Sequence, residues 1–311
     1  MKDKAICTII TRDFLPYALA LNKSLMTYGN VELYVFIADS ESNEKIDTTE
    51  NIHLLYIDQV CREGIGKSIF EKYYDTDIDR FRWSSKTVLM NYLFDTGYDN
   101  VIYLDPDICF FNSYEFLFDE LNDNNIILTP HWRSTDPFEN QYQFIDHCND
   151  GLFNAGFIGA NKNASKDLEK ISKMCLWECT IDHERGLHDD QRYLDFLIII
   201  SEKTKIIRHK GCNVGAWNTV LNKRLLNHEE VLIDNTFQII FIHFTKSTLK
   251  EILFGADEIL YPHLQSYISD LNLFKTTPLS IDELKASLVT PKKKESFINT
   301  LIQKLKGKIG I

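Results

Sequence analysis

The sequence predicts an α/β fold in which helices flank a mainly parallel, twisted sheet, with a helical extension at the C-terminal end. Strand and helix patterns alternate over the first 105 residues, and this alternation implies parallel strands joined by crossover helices. The strand at 100–105 is apolar nearly throughout, as expected when helices cover both faces of a sheet. Beyond Lys250 the pattern becomes helical, so we predict a main domain, 1–250, and an extension, 251–311.

The elements follow from the periodicity of apolar side chains. Runs rich in Ile, Val, Tyr and Phe predict strands at 5–10, 31–39, 51–58, 100–105, 125–132, 152–161 and 238–244. Amphipathic patterns predict helices at 16–28, 84–95, 164–179 and 190–201, followed by further helices after 250. Pro16 stands near the start of the first helix, where its missing N–H costs nothing.

Charge and composition narrow the class of protein. The net charge of −11 argues against a nucleic-acid partner. The seven cysteines are scattered and odd in number, which favours reduced thiols in a cytoplasmic protein. Neither a secretion signal nor an apolar run long enough to span a bilayer is visible, so we predict a cytoplasmic location.

The last residues form a basic amphipathic tail. Residues 291–311 contain six Lys and one Glu, and their apolar side chains are predicted to share one helical face: Phe297, Ile298, Leu301, Ile302 and Leu305. Such a helix binds the surface of an anionic membrane, which here would be the inner face. A terminal helix that docks on the core or on a second subunit is the alternative.

Two aspartates end the apolar strand in the sequence VIYLDPDICFF. Asp105 and Asp107 flank Pro106, which fixes φ and stiffens the turn. Ligands of parallel α/β sheets bind beyond the carboxyl ends of the strands, which is where this pair lies. Two adjacent carboxylates repel one another unless a cation or a proton sits between them, and their oxygens suit Mn²⁺ or Mg²⁺. The alternative is a capped turn in which Asp107 caps the next helix.

Three later motifs make a resemblance specific. FNAGFIGANK, HDDQRYLDF and FIHFTK follow the Asp-x-Asp strand in that order. The arrangement resembles the GT-A-fold nucleotide-sugar glycosyltransferases, and in particular glycosyltransferase family 8, over roughly residues 5–250. The resemblance implies a GT-A catalytic domain that moves a hexose, with retention of configuration, from UDP-glucose or UDP-galactose to a glycan. It also implies a role in bacterial surface polysaccharide synthesis, where the acceptor is a glycan or a lipid-linked glycan.

The resemblance assigns roles to single residues. Asp105, Asp107 and His243 would bind Mn²⁺ or Mg²⁺. Residues expected at the nucleotide are Thr11, Asp13, Asp39 and Asp105. Residues expected at the donor sugar and phosphates are Lys86, Asn154 and Asp190. Apart from the resemblance, the aromatic face of Trp217 suits stacking on a sugar, and Lys246 could offset charge on the departing diphosphate, with Lys250 as a second candidate. The family has a glycine where this chain has Lys246, so the phosphate contact differs here.

The predicted catalytic pair is Asp190 and Gln191. A retaining reaction would place Gln191 nearest the far face of the sugar, and because an amide is a poor nucleophile, a same-face displacement is favoured. An inverting reaction would instead use Asp189 or Asp190 as the base that deprotonates the acceptor.

Two other classes remain as alternatives. A haloacid-dehalogenase-like phosphatase would use Asp105 and Asp107 as nucleophile and Mg²⁺ ligand. Against it, Cys109 stands where Thr or Val is expected, and about a hundred residues precede the motif. A non-enzymatic glycan- or lipid-binding module is the third reading.

Overall fold

A computed structural model describes residues 2–42, 51–228 and 230–289 and confirms the predicted α/β fold. The strands are β1 Lys2–Ile10, β2 Glu32–Ile37, β3 Ile52–Tyr56, β4 Tyr98–Leu104, β5 Ile108–Phe110, β6 Ile126–Pro130, β7 Phe153–Asn161, β8 Ile181–Asp182, β9 Leu187–His188, β10 Thr204–Ile206, β11 Arg224–Asn227, β12 Glu230–Ile233, β13 Phe237–Gln238 and β14 Phe241–His243. The helices are α1 Leu15–Tyr28, α2 Ile57–Val60, α3 Gly64–Tyr73, α4 Ile78–Ser84, α5 Lys86–Asp95, α6 Glu115–Asp123, α7 Gln141–Asp150, α8 Ser165–Trp177, α9 Leu197–Ile200, α10 Lys246–Phe254, α11 Tyr261–Asn272 and α12 Ile281–Val289.

The central sheet has seven strands in the order β10-β6-β7-β4-β1-β2-β3. All neighbouring strands are parallel except at β7, which runs antiparallel to both β4 and β6. Because β4 lies near the middle of the sheet and is buried almost along its whole length, the residues that follow it emerge at the centre of one sheet edge.

Alternate side chains of the sheet enter two separate cores. In β1, Cys7 and Ile9 belong to the core on one face, whereas Ile6 and Ile10 belong to the core on the other. This alternation is the period of an extended strand, and it explains why the strands are apolar on both faces.

A small antiparallel pair, β5 with β14, lies beyond the end of β4. A third core packs around it and includes Cys109 of β5, Ile242 of β14 and side chains of α10, α11 and α12. The helices after position 250 therefore support the strands that follow the aspartates. α10 itself crosses that position, and the division at 250 stays a prediction.

One predicted helix has a different geometry in the structure. The helix predicted at 190–201 is instead a 3₁₀ helix, Gln191–Phe196, followed by the single turn of α9. The Asp190 carboxylate lies beside Lys86, and the Gln191 side chain accepts a hydrogen bond from β7. The chain forms a 3₁₀ helix here and not the first turn of a regular α-helix. The basic tail at 291–311 lies outside the described residues. Within the described parts of the chain, none of the helices combines the length and the apolar character that crossing a membrane requires.

Candidate active site

The two aspartates follow directly from the end of β4. The N–H of Asp105 donates to the carbonyl of Gly156 at 2.9 Å, so the ladder between β4 and β7 continues one residue past the strand. The turn around Pro106 closes when the N–H of Ile108 donates to the carbonyl of Asp105 at 3.2 Å. Both carboxylates are only partly buried. Helix α6 begins at Glu115, and Asp107 does not cap it.

His243 reaches the aspartates through the β5–β14 pair. The register places His243 opposite Ile108, and the N–H of Phe244 donates to the carbonyl of Asp107 at 2.9 Å. The His243 Nε2 atom lies 2.9 Å from Oδ1 of Asp107 and 3.7 Å from Oδ2 of Asp105. A residue 136 positions further along the chain is thus fixed beside Asp107 by main-chain hydrogen bonds.

Glycine and asparagine in β7 shape the space behind His243. A Cβ on Gly156 would lie 2.4 Å from Cε1 of His243 and 2.8 Å from Oδ1 of Asn154. The Asn154 side-chain oxygen accepts from the N–H of Gly156 at 3.0 Å and lies 3.2 Å from Nδ1 of His243. In the tautomer that donates from Nδ1 to Asn154, the lone pair of His243 Nε2 faces the two carboxylates.

The donor atoms fit a divalent cation. One ligand atom from each of Asp105, Asp107 and His243 lies within 4.8 Å of the other two. Burial raises the pKa of Asp107, but the adjacent His243 outweighs it, so the pKa is lowered. Burial lowers the pKa of His243, and Asp107 outweighs that effect, so the pKa is raised. Two oxygens and one imidazole nitrogen form a donor set that suits Mn²⁺ or Mg²⁺.

Lys86 lies at the start of α5 and is buried. Its Nζ is 3.1 Å from Oδ2 of Asp190 and 3.5 Å from Oδ1 of Asp105, and it donates to the carbonyl of Ala155 at 3.0 Å. Burial lowers the pKa of Lys86, but Asp105 and Asp190 together raise it above the ordinary value. The lysine therefore stays charged and joins α5, β4, β7 and the Asp190 turn.

Asp190 and Gln191 lie at the start of the 3₁₀ helix, and both side chains contact the other residues of the site. Asp190 is buried, and this burial raises its carboxyl pKa although Lys86 opposes the shift. The Gln191 side chain is held at both ends: its oxygen accepts from the N–H of Ala155 at 3.2 Å and its nitrogen donates to the carbonyl of Asp150 at 3.0 Å. Burial, followed by the charge of Asp190, raises the pKa of Asp189 to about 6.

A cavity of about 160 Å³ opens beside the aspartates. Its lining includes Lys86, Asp105 and Asp107, together with three residues that the sequence did not single out: Phe14, Arg82 and Trp83. Arg82 and Lys86 stand four positions apart where α4 meets α5, and this spacing of two cations before the Asp-x-Asp strand is the signal that could have revealed Arg82.

The residues predicted at the nucleotide lie on the first two loops. Thr11 donates to Asp13 at 2.5 Å, and Asp39 accepts from the N–H of Arg12 at 2.9 Å. The loops after β1 and β2 are thereby tied together at the same edge of the sheet. Their predicted contacts with a nucleotide remain a prediction.

The remaining predicted residues have mixed placements. Trp217 is mostly buried and packs edge-on against His243 and His131, with ring centroids 5.5 and 5.9 Å apart. Lys246 and Lys250 are exposed on α10. His131 was not foreseen: it is buried, its Nδ1 lies 3.1 Å from the carbonyl of Gly151, and its Nε2 lies 3.5 Å from Nδ2 of Asn154. No sequence motif marks it.

Comparison with known proteins shows the family to which the chain belongs. The sequence profile described as glycosyl transferase family 8 matches residues 5–250. A solved structure of the galactosyltransferase LgtC, in complex with donor and acceptor sugar analogs, is similar with a TM-score of 0.55 at 16% identity, covering 89% of this chain and 97% of that one. Mouse xyloside xylosyltransferase 1, in its apo form, has a TM-score of 0.48 at 14% identity, covering 79% of this chain and 99% of that one. A search of curated proteins found no match. Because the profile covers most of the chain and the sheet has the GT-A arrangement, this protein belongs to glycosyltransferase family 8 and is a glycosyltransferase.

Proposed function

We propose that the enzyme transfers a hexose from a UDP-sugar, UDP-glucose or UDP-galactose, to a glycan acceptor, with retention of configuration. We assign the reaction to bacterial surface polysaccharide synthesis, where the acceptor is a glycan or a lipid-linked glycan. The observation that carries this proposal is the convergence of Asp105, Asp107 and His243 beside the buried Lys86–Asp190 pair at the carboxyl end of β4.

Asp105, Asp107 and His243 would hold Mn²⁺ or Mg²⁺. When bound, the ion supplies Lewis-acid stabilisation of the negative charge that grows on the departing diphosphate. Asp105 accepts from the Tyr103 hydroxyl at 2.8 Å and lies beside Lys86, so its carboxylate is oriented before any ligand binds. Preorganised charges of this kind cost little reorganisation during the reaction.

The donor sugar would lie among Asn154, Asp190 and Gln191, with Lys86 between the sugar and the phosphates. The amides of Asn154 and Gln191 can donate hydrogen bonds to sugar hydroxyls and accept from them, and the Asp190 carboxylate can accept from them. Trp217, and Lys246 or Lys250, complete the proposed contacts with sugar and phosphate. Thr11, Asp13 and Asp39 would bind the nucleotide, because their loops share this sheet edge.

The hydrogen bonding of Gln191 bears on the stereochemical route. Both ends of its amide are engaged by main-chain groups, so it orients the sugar pocket rather than acting as a free nucleophile. A same-face displacement agrees best with that arrangement. An inverting route would use Asp189, since a carboxyl with a pKa of about 6 suits a general base better than an ordinary aspartate does.

The other two classes make different predictions. A phosphatase that uses Asp105 and Asp107 would release phosphate from an aryl phosphate, whereas a transferase consumes a nucleotide sugar. The family assignment favours the transferase. A binding module without catalysis would bind ligand and release no nucleotide.

The test is a screen of nucleotide sugars with Mn²⁺, scored by nucleotide release. We expect UDP-glucose or UDP-galactose to be turned over, with loss of activity in EDTA. Asp107→Asn should abolish metal-dependent turnover and leave the fold intact, because it removes one charged ligand of a partly exposed site. Asp123→Asn, at the exposed end of α6, is the control and should retain full activity. Turnover at the normal rate in EDTA, or in Asp107→Asn, would refute the metal-dependent mechanism.

A further inference from the structure

A second group of metal-binding side chains lies outside the site described above. Asp150 ends α7, while His183 and His188 belong to the hairpin formed by β8 and β9. Nδ1 of His188 is 3.0 Å from Oδ1 of Asp150 and 3.1 Å from Nε2 of His183, and that Nε2 is 3.8 Å from the same carboxylate oxygen. The two imidazole rings are stacked, 5.4 Å apart at an angle of 8°. Three donor atoms thus converge on one point.

The spacing of these atoms matches a tetrahedral ion. Zn²⁺ with bonds of about 2.0–2.1 Å to nitrogen and oxygen places its donors about 3.3–3.4 Å apart. The three distances of 3.0, 3.1 and 3.8 Å bracket that value. Hydrogen bonding satisfies the group less completely, because Nδ1 of a neutral His188 carries one hydrogen at most and two acceptors compete for it. A cation would take a lone pair from each of the three atoms.

The second oxygen of Asp150 is already fixed. Arg133 donates to Oδ2 of Asp150 at 2.6 Å and to the carbonyl of Asp146 at 2.8 Å. Carboxylates that bind metals are characteristically held in this way by a second partner, which orients the free oxygen toward the ion. The exposed fractions of the side chains, 15% for Asp150, 20% for His188 and 42% for His183, leave the fourth position open to solvent.

We propose that Asp150, His183 and His188 form a second metal site, which binds Zn²⁺. Its two nitrogens and one oxygen suit Zn²⁺, whereas the oxygen-rich set at Asp105, Asp107 and His243 suits Mn²⁺ or Mg²⁺ and takes Zn²⁺ as well when Zn²⁺ is the only metal offered. The ion would tie the β8–β9 hairpin to the end of α7. The carbonyl of Asp150 also accepts a hydrogen bond from the Gln191 side chain, which connects the metal site to the proposed sugar pocket. The site thus acts as a clamp that positions the Asp190–Gln191 turn.

The first test is the number of Zn²⁺ ions that the full, untagged chain binds at equilibrium. We expect two ions for the wild type, one for Asp107→Asn, one for His183→Asn and none for the double variant. His228→Asn is the matched control, because His228 is exposed, has φ 56° and tolerates asparagine in that conformation. It should bind two ions. Equal zinc binding by His183→Asn and His228→Asn would overturn the proposal.

The second test measures thermal unfolding in the Asp107→Asn background, where the first site is disabled. Zn²⁺ at about a hundred times its dissociation constant should raise Tm by about 5 °C. The rise should disappear when either His183→Asn or His188→Gln is added. Unfolding without metal shows whether each variant is folded, and the substitution of the exposed His183 gives a folded variant even if that of His188 does not. A Tm rise that persists in the folded variants would contradict the assignment.

Discussion

Lys86 shows how one buried charge connects the parts of the site. Its ammonium lies between Asp105 and Asp190, and all of its polar partners come from other elements. A buried lysine is unusual unless it is paired, and here two carboxylates hold it in the charged form. Removing it leaves the buried Asp190 without its cation.

We predict that Lys86→Met lowers the free energy of unfolding by about 3 kcal/mol, because breaking a buried ion pair leaves an uncompensated charge. Lys162→Met is the control, since Lys162 pairs with Asp99 at the surface and should change stability by about 1 kcal/mol or less. Urea unfolding measures both. Burial raises the pKa of Asp190, and removal of Lys86 raises it further. In both proteins the unfolded carboxyl ionises before the folded one, so the deficit of the variant should grow as pH rises through the folded pKa of Asp190 in the wild type, which lies above the ordinary value. Equal losses in the two variants would contradict this account.

His131 supports a pH prediction. Burial, followed by the charge of Arg133, lowers its pKa well below the ordinary value. An unfolded histidine takes up a proton near pH 6.5 while the buried one stays neutral, so stability falls as pH decreases below that value, by up to about 1.4 kcal/mol per pH unit. His131→Gln removes this contribution. Urea unfolding between pH 5 and 7.5 should show a shallower decline in the variant, and parallel curves would show that His131 does not carry the effect.

At the scale of residues, the sequence identified the groups that lie in recognisable motifs. Asp105 and Asp107 could be placed because an apolar strand ends at them, and His243 because the resemblance supplied a partner that spacing alone does not. His131 and Arg82 escaped, since a histidine after a strand and an arginine on a helix have many ordinary fates. Their relation to the site depends on contacts across the sheet, which the periodicity of apolar residues does not encode.

β7 is the element that shapes the back of the site. It carries Asn154 and Gly156 toward His243, and its Gly159 faces the core, where a Cβ would lie 2.4 Å from Cγ1 of Ile127. The two glycines therefore leave room for different neighbours. One makes space for His243, a proposed metal ligand, and the other for the apolar side chain of Ile127.

This difference gives a matched pair of variants. Gly156→Ala should weaken Mn²⁺ binding at least about 10-fold, because the added methyl group displaces His243. Gly159→Ala should lower the free energy of unfolding by about 1–3 kcal/mol through overpacking, while Mn²⁺ affinity stays unchanged. Calorimetric titration and urea unfolding separate the two effects. Retention of Mn²⁺ binding in Gly156→Ala would show that the space behind His243 is unimportant. Loss of Mn²⁺ binding in the folded Gly159→Ala variant would show that the effect is not specific to Gly156.

The elements themselves were predictable where their period was strong. The strands β1 to β4 and the helices α1, α5 and α8 follow the apolar pattern closely, and helices follow Lys250 as expected. The helices α2, α3 and α4, which lie between β3 and α5, were not predicted. The stretch after Asp190 has helical spacing, yet the chain forms a 3₁₀ helix there. Side-chain hydrogen bonds from Gln191 to the β7 strand and to Asp150 compete with regular helix geometry, and such tertiary contacts are invisible in a local pattern.

The charge of the whole chain is divided unevenly. Residues 291–311 carry a net charge of +5, so the other residues carry −16. An anionic membrane repels a body of that charge, so contact with such a surface would have to come from the tail. Each basic residue near an anionic surface contributes about 1 kcal/mol, which falls off within a Debye length of about 8–10 Å.

We therefore predict that the full chain sediments with vesicles containing anionic lipid and that a chain ending at Thr290 does not. Binding of the full chain should decrease steeply as salt rises from 50 to 500 mM, because screening weakens the lysine contribution faster than the apolar one. Neutral vesicles are the control, and they should retain little of either form. Turnover of the nucleotide sugar in solution should be the same for both chains, since none of the proposed site residues lies beyond Lys250. Equal sedimentation of the two chains would reject the membrane role. If the tail instead docks on the core, truncation should lower Tm, and if it docks on a second subunit, truncation should change the oligomeric state.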